Sequence, residues 1–213
     1  QISSQIQVSM SANRDVSPVG GELYFLPVHT RVPLKFGGES VDFVTCARVR
    51  LCVRARDGSL AEGWGETPLS VTWVWPSSLA YEARHQALRS FCRQLLNAWC
   101  EAGLWGHPIE IGADFIHSAL PEQLERFNAP RRAAGEEPLP WLAALVCLSL
   151  FDIATHDAYG IAHQVDIYTT YNGGWMNRSL ECFLEPANDT YATFHGKFPE
   201  AYPAPSSSSA PPA

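Results

Sequence analysis

The chain opens with a two-residue alternation of apolar and polar positions, which gives way after Ser77 to a three-to-four-residue period. Between Gly21 and Leu34, the residues Tyr24, Leu26, Val28, Thr30 and Val32 share one side, as in a strand. The Gly pair in Lys35–Ser40 punctuates it as a loop. From Val44 to Arg56 the pattern is sharper. Ala47, Val49, Leu51, Val53 and Ala55 fall on one face, and Cys46, Arg48, Arg50, Cys52, Arg54 and Arg56 on the other. That predicts a strand buried on one side and wet on the other, as antiparallel sheets allow. Asp57-Gly58 is a hairpin signal, so Ser59–Glu66 is expected to pair back as a third strand. Thr67–Pro76 then reads as a loop loaded with aromatics, Trp73 and Trp75 among them.

From Ser77, apolar residues at Ala80, Ala87, Leu88, Phe91, Leu95, Ala98 and Trp99 predict a helix capped by Ser77 or Ser78 and ended near Gly103. A second helical segment, Ile109–Phe127, is expected to be split by Pro121, and Asn128–Pro138 reads as a charged linker. A third helix starts near Pro140 and is expected to stop at Tyr159-Gly160. It is apolar almost all round, which predicts a central, buried helix. Val165–Tyr171 reads as one further strand. The expected fold class is α+β: a three-stranded antiparallel sheet, a bundle of about three helices, and an irregular C-terminal extension. The expected divisions are a loose lead-in at 1–20, the main domain at 21–168, an extension at 169–202 and a disordered Ser/Pro/Ala tail at 203–213.

Composition narrows the function classes. Fifteen Lys and Arg against 22 Asp and Glu leave a net charge of −7, which argues against a general binder of nucleic acid or anionic membrane. The apolar run Trp141–Ala154 is shorter than the roughly 20 residues a bilayer crossing needs. No basic segment followed by an apolar one marks a secretory leader in Gln1–Gly20, and a start on Gln rather than Met points to processing or a fragment. The six cysteines include no Cys-x-x-Cys, so they read as reduced thiols of a cytoplasmic protein rather than as a metal or disulfide framework. The sequons at Asn177 and Asn188 read as chance matches.

No nucleophile elbow, phosphate loop, dinucleotide fingerprint or His-Glu-x-x-His is present. Asp114/His117 and Asp152/His156 each share a helix face, a spacing that serves metals in some bundles. The plainer reading is two polar pairs that fix helix packing, with Asp157 adding a similar contact. Trp64, Trp73 and Trp75, with Phe36 beside Gly37 and Gly38, either close one end of the core or wall a small-molecule pocket. The arginine comb Arg48/Arg50/Arg54/Arg56 is a salt-bridged surface or, in the alternative reading, the contact face of a non-catalytic interaction module.

Three motifs in order carry a resemblance: Arg31-Val-Pro-Leu-Lys-Phe-Gly-Gly38, then Gly58 with Gly63-Trp-Gly-Glu66, then Phe151-Asp-Ile-Ala-Thr-His-Asp-Ala-Tyr-Gly160. Over about Leu23–Tyr168 the chain resembles the N-terminal capping domain of the enolase superfamily, nearest its mandelate racemase/muconate lactonizing enzyme branch. The resemblance implies a small cap over the mouth of a (β/α)-barrel, with two cap loops closing on a small carboxylate substrate. Those loops map to Phe36, Gly37 and Gly38, and to Glu66 through Trp73 and Trp75. It also implies an isomerase- or dehydratase-type parent that uses a Lys or His base and Mg²⁺. Asp152 and Asp157 match structural polar positions of the last cap helix. The pattern breaks after Tyr168, where Lys197 is the only lysine and no Lys-x-Lys or series of acidic strand ends follows. A full barrel needs about 250 residues. The expectation is therefore a capping fragment without its barrel, holding no catalytic or metal-ligating residue and no cofactor. It has no nucleic-acid or membrane partner and is compatible with a homo-oligomer. Glu181, Glu185 and Asp189 are not assigned as ligands.

Overall fold

The computed structural model describes residues 13–36, 39–187 and 193–202. The expected tail at 203–213, most of the lead-in, and Gly37 and Gly38 lie outside the described residues. Three antiparallel strands, β1 (Val16–Phe36), β2 (Glu39–Ala55) and β3 (Leu60–Pro68), form a sheet in the order β1-β2-β3. The helices α1 (Val71–Val74), α2 (Tyr81–Glu101), α3 (Pro108–His117), α4 (Ala119–Ala133) and α5 (Trp141–His163) follow. The fold is α+β, as the periodicities predict.

The β2 alternation is realised in full. Ala47, Val49, Leu51, Val53 and Ala55 are buried against Leu88, Phe91, Leu95 and Trp99 of α2 and Leu150, Phe151, Ala154 and Ala158 of α5. In β1 the core-facing side is Leu23 and Phe25, which pair with Val49 and Ala47. Of the expected apolar side, Tyr24, Val28 and Val32 are exposed and Leu26 and Thr30 are half-buried. The strand also begins at Val16, within the expected lead-in, because fully buried Val16 pairs with Ala55 and bridges to Gly106. Gly58, at φ 86°, makes the β2–β3 turn that the Asp-Gly pair predicts.

The Gly63-Trp-Gly-Glu66 motif has a steric cause. A Cβ on Gly63 would lie 2.2 Å from Ala158 N, and one on Gly65 would lie 2.0 Å from Leu150 O. The backbone of α5 therefore rests directly on β3, and only glycine permits that approach. Asp157 reinforces the contact, since its carboxylate accepts the Trp64 N–H at 2.8 Å. A bond to this unpaired strand edge is the structural role the sequence suggests for Asp157.

Several boundaries differ from expectation for local reasons. Neither Ser77 nor Ser78 caps α2. The Ser77 hydroxyl donates to Glu137 and accepts from Leu79 N, so α2 starts after Ala80 without a side-chain cap. The second helical segment breaks at Ser118, not at Pro121. Pro121 falls in the first turn of α4, where a missing N–H costs nothing. The expected charged linker is partly helix, since α4 runs through Pro130 to Ala133. Gly160 does not stop α5, which continues to His163 and ends on Gln164 in the left-handed region at φ 54°. At 23 residues, α5 is long and apolar enough to span a bilayer, longer than the apolar run suggests, but half of its most apolar stretch is buried within the fold. Nor is it buried all round. Ile153 and Ile161 on its outer side are 46% and 51% exposed. Val165–Tyr171 holds a 3₁₀ turn, Ile167–Thr170, instead of a strand.

The extension folds back onto the domain. Glu110, 2% exposed, accepts N–H bonds from His107 N, Asn177 N, Asn177 Nδ2 and Arg178 N at 2.7–3.1 Å. The Arg178 guanidinium grips both Asp114 oxygens at 2.8 and 2.9 Å. From the other end of the chain, Arg14 donates to Gly174 O and lies 4.0 Å over the Trp175 ring. Charge-assisted bonds to a buried carboxylate are the strong kind, so this clasp joins both chain ends to α3.

Candidate functional site

Beyond Cys46, where β3 ends opposite it at Pro68, β1 and β2 continue as a two-stranded arm. The register shifts between His29 and Leu34, and the arm pairs on to Phe36 and Glu39. Six residues from Val44 to Glu39 carry it about 20 Å past the sheet. Val32 on it is 70% exposed, and the His29 and Phe43 rings pack across it at a 55° tilt with centroids 5.2 Å apart. Phe36 closes the described part of the arm tip, next to Gly37-Gly38.

At the base of the same arm, Leu69 N donates to Thr45 O and the chain turns into α1. Val71 and Val74 are buried beneath it, whereas Trp73 is 53% exposed. Trp75 points the other way. It is 1% exposed, and its indole N–H donates to Glu137 at 2.6 Å. Its carbonyl takes the Arg84 guanidinium, and Arg131 covers its ring. The hydrogen bonds from Ser77 and Trp75 hold the Glu137 carboxyl below its usual range. Trp75 is therefore the anchor that fixes α1, not an exposed wall. The arm and the exposed Trp73 thus leave the same end of the sheet, with Trp73 near the base of the arm rather than its tip. Glu66 lies on the outer sheet face, ion-paired with Arg48 beside an open cleft of about 520 Å³ lined by Trp64 and Ile153.

The arginine comb is largely neutralised within the chain. Arg48 pairs with Glu66, Arg50 with Glu22 and Glu62, and Arg56 with Asp15. The two helix pairs are not ligand sets either. Arg178 occupies Asp114, and the His117 Nδ1 bonds the Ala113 carbonyl. His156 Nδ1 likewise bonds the Asp152 carbonyl at 2.8 Å. Among the described residues, no three of His, Cys, Asp and Glu are gathered to hold a metal ion. Of the acidic side chains, Asp114 is taken by Arg178, Asp157 by the Trp64 N–H and Glu181 by His195. All six cysteines are free, and burial pushes the Cys100 thiol up to about 11, which keeps it protonated and unreactive.

Sequence periodicity gave no warning of a buried aromatic and histidine cluster between α3, α5 and the extension. His107 is fully buried. Its Nδ1 accepts from Ile109 N and its Nε2 meets Thr170 Oγ1 at 2.9 Å, which fixes the neutral Nε2–H tautomer. Burial pushes its pKa down to about 3, with His156 and His163 adding smaller effects of the same sign. Its ring packs 4.9 Å from Tyr159 and 5.6 Å from Tyr171. His and Glu in a short, Pro-containing segment give no period to read. The only signal was His107-Pro108 with Glu110, a capping box with His in the place of Ser.

No family model and no curated protein matches the sequence. Among solved structures, the chain is similar in part to an L-Ala-D/L-Glu epimerase from Bacillus subtilis in a substrate-liganded complex. The identity is 20% and the TM-score 0.24, over 38% of this chain and 20% of the other. It is also similar to a mandelate racemase/muconate lactonizing protein from Herpetosiphon aurantiacus, at 14% identity and TM-score 0.31, over 69% of this chain and 32% of that one. The chain thus spans a third or less of the length of either.

Proposed function

We propose that this chain is a substrate-covering cap of an enolase-superfamily protein, of the mandelate racemase/muconate lactonizing kind. The observation that carries the reading is that the two-stranded arm and the exposed Trp73 both leave the same end of the sheet, where Leu69 N bonds Thr45 O, on a domain whose core is otherwise closed. The order of the three motifs supports it. So does the steric reason for Gly63 and Gly65, which makes that motif a requirement of this helix-on-strand packing.

In this reading Phe36, Gly37-Gly38 and Trp73 line one wall over a small carboxylate substrate, and Trp75 holds that wall from behind. Glu66 stands back on the outer sheet face. What the chain supplies is shape and exclusion of water over a reacting carbon. The base and the Mg²⁺ that would stabilise an enediolate belong to a barrel outside the described residues. The isolated chain, incubated in D₂O with Mg²⁺ and either mandelate or L-Ala-D-Glu, is expected to leave the α-proton unexchanged by NMR. Deuterium entering the α-position would overturn the reading, because it would place the chemistry in the cap itself.

A further inference from the structure

The outer side of α5 carries exposed apolar residues, interrupted by Ser149, His156 and Asp157. Leu142, Leu145, Val146, Ile153 and Ile161 recur at helical spacing on it, three of them exposed and two half-buried. The helix is about 34 Å long. Among the described residues, the turn at 165–167 packs against it at Gly160, while Leu142, Ile153 and Ile161 stay exposed. Charge is unevenly spread along it. Beside Ile153 the nearest ions, Arg48 and Glu66, cancel each other. Around Ile161 an open cleft of about 400 Å³ is lined by Asp157 and Asp166, by His156, and by the aliphatic walls of Ile161, Val165 and Ile167. No arginine or lysine lines that cleft. It also lies at the C-terminus of α5, where the helix dipole adds partial negative charge.

We propose that this side of α5 seats an amphipathic helical segment of a protein partner. The segment's apolar face lies on Leu142, Ile153 and Ile161, and an arginine or lysine at one end enters the Asp157/Asp166 cleft. The cleft matches that side chain in two ways. Its aliphatic walls suit the methylene stem. Its two carboxylates, each of which takes one backbone N–H and keeps its negative charge, suit the cation together with the helix end. The same charges disfavour an anionic membrane surface. A second copy of this acidic chain would set like charges together at the cleft. The surface is separate from the arm tip and Trp73, so the inference does not depend on the cap reading.

The test uses the full chain and two labelled 18-residue helical peptides with identical leucine faces. One carries arginines at its flanks and the other glutamates, with fluorescence anisotropy as the readout. The arginine peptide should bind at least about tenfold more tightly, and its binding should weaken as salt rises from about 50 to about 500 mM. The double variant Ile153→Asp/Ile161→Asp should lose that binding by about tenfold or more while melting at the same temperature as the parent. Equal binding of the two peptides, no binding of either, or binding unchanged in the double variant would each overturn the proposal. So would sedimentation showing a dimer that the double variant abolishes, or docking to phosphatidylserine vesicles. Deuterium exchange by the isolated chain would sink the cap reading and leave this one standing.

Discussion

The two sides of α5 are almost equally apolar in sequence, yet they meet opposite surroundings. The inner side carries Ala154 and Ala158, small residues that lay the helix backbone on Gly63 and Gly65 with no room for a Cβ. The outer side carries Leu142, Ile153 and Ile161 and meets solvent. What separates them is what covers them. The sheet and α2 take the inner side, where Leu150, Phe151 and Tyr159 are buried along with the alanines, and leave Leu142, Ile153 and Ile161 exposed on the other. All-round apolarity therefore marks a helix central to its domain without marking every face of it as covered.

The inner side should be intolerant of change. Gly65→Val would drive a branched side chain into Leu150 O, already 2.0 Å from an ideal Cβ, so the helix must lift off the strand. The expected cost is about 4 kcal/mol or more, at the extreme of single substitutions, read by urea denaturation. A loss under about 1 kcal/mol would break the comparison at its root. Next comes the clasp beyond the helix. Glu110→Gln replaces an acceptor of four N–H bonds with an amide that must turn its own N–H₂ toward donors. It is expected to cost about 2–3 kcal/mol and to increase hydrogen exchange at Asn177 and Arg178.

A pH titration probes the histidine packed against the same helix. His107 is neutral in the fold, with its pKa near 3, but protonates at about 6.5 when unfolded. Between those values the unfolded chain binds more protons. The contribution of His107 is then fully present above about pH 6.5 and is lost as pH falls, at up to about 1.4 kcal/mol per pH unit. His107→Gln should flatten that slope. An unchanged slope in the variant would assign the acid sensitivity to other groups. The smallest effect belongs to the outer side. Ile153→Asp should shift stability by no more than about 0.5 kcal/mol, and a large loss would mean that this side is covered within the chain.

Legibility in the sequence followed periodicity. The inward face of β2, the Asp57-Gly58 turn and the α+β order could be read because alternation and turn chemistry are local. Helix ends could not, because they were decided by tertiary partners. Glu137 took the Ser77 hydroxyl, and Gln164 rather than Gly160 ended α5. Among the candidate site residues, Phe36 and Trp73 belong to segments that leave the same end of the sheet, and Gly37 and Gly38 lie outside the described residues. Trp75, two residues from Trp73, turned inward to Glu137. A short helix turns side chains two apart to opposite sides, so counting aromatics in a loop cannot tell a wall from an anchor. The Glu110 clasp joins residues more than 60 positions apart and left no local trace.

The proposed cap role is tested most directly by a chimera in which residues 13–182 replace the cap of an enolase-superfamily enzyme. Its α-proton exchange is measured against the same barrel with no cap. A folded chimera should exchange the α-proton of a small carboxylate substrate faster than the capless barrel, and Trp73→Ala should reduce that gain while Ile153→Asp leaves it intact. A folded chimera no faster than the bare barrel, or one indifferent to Trp73, would contradict the account.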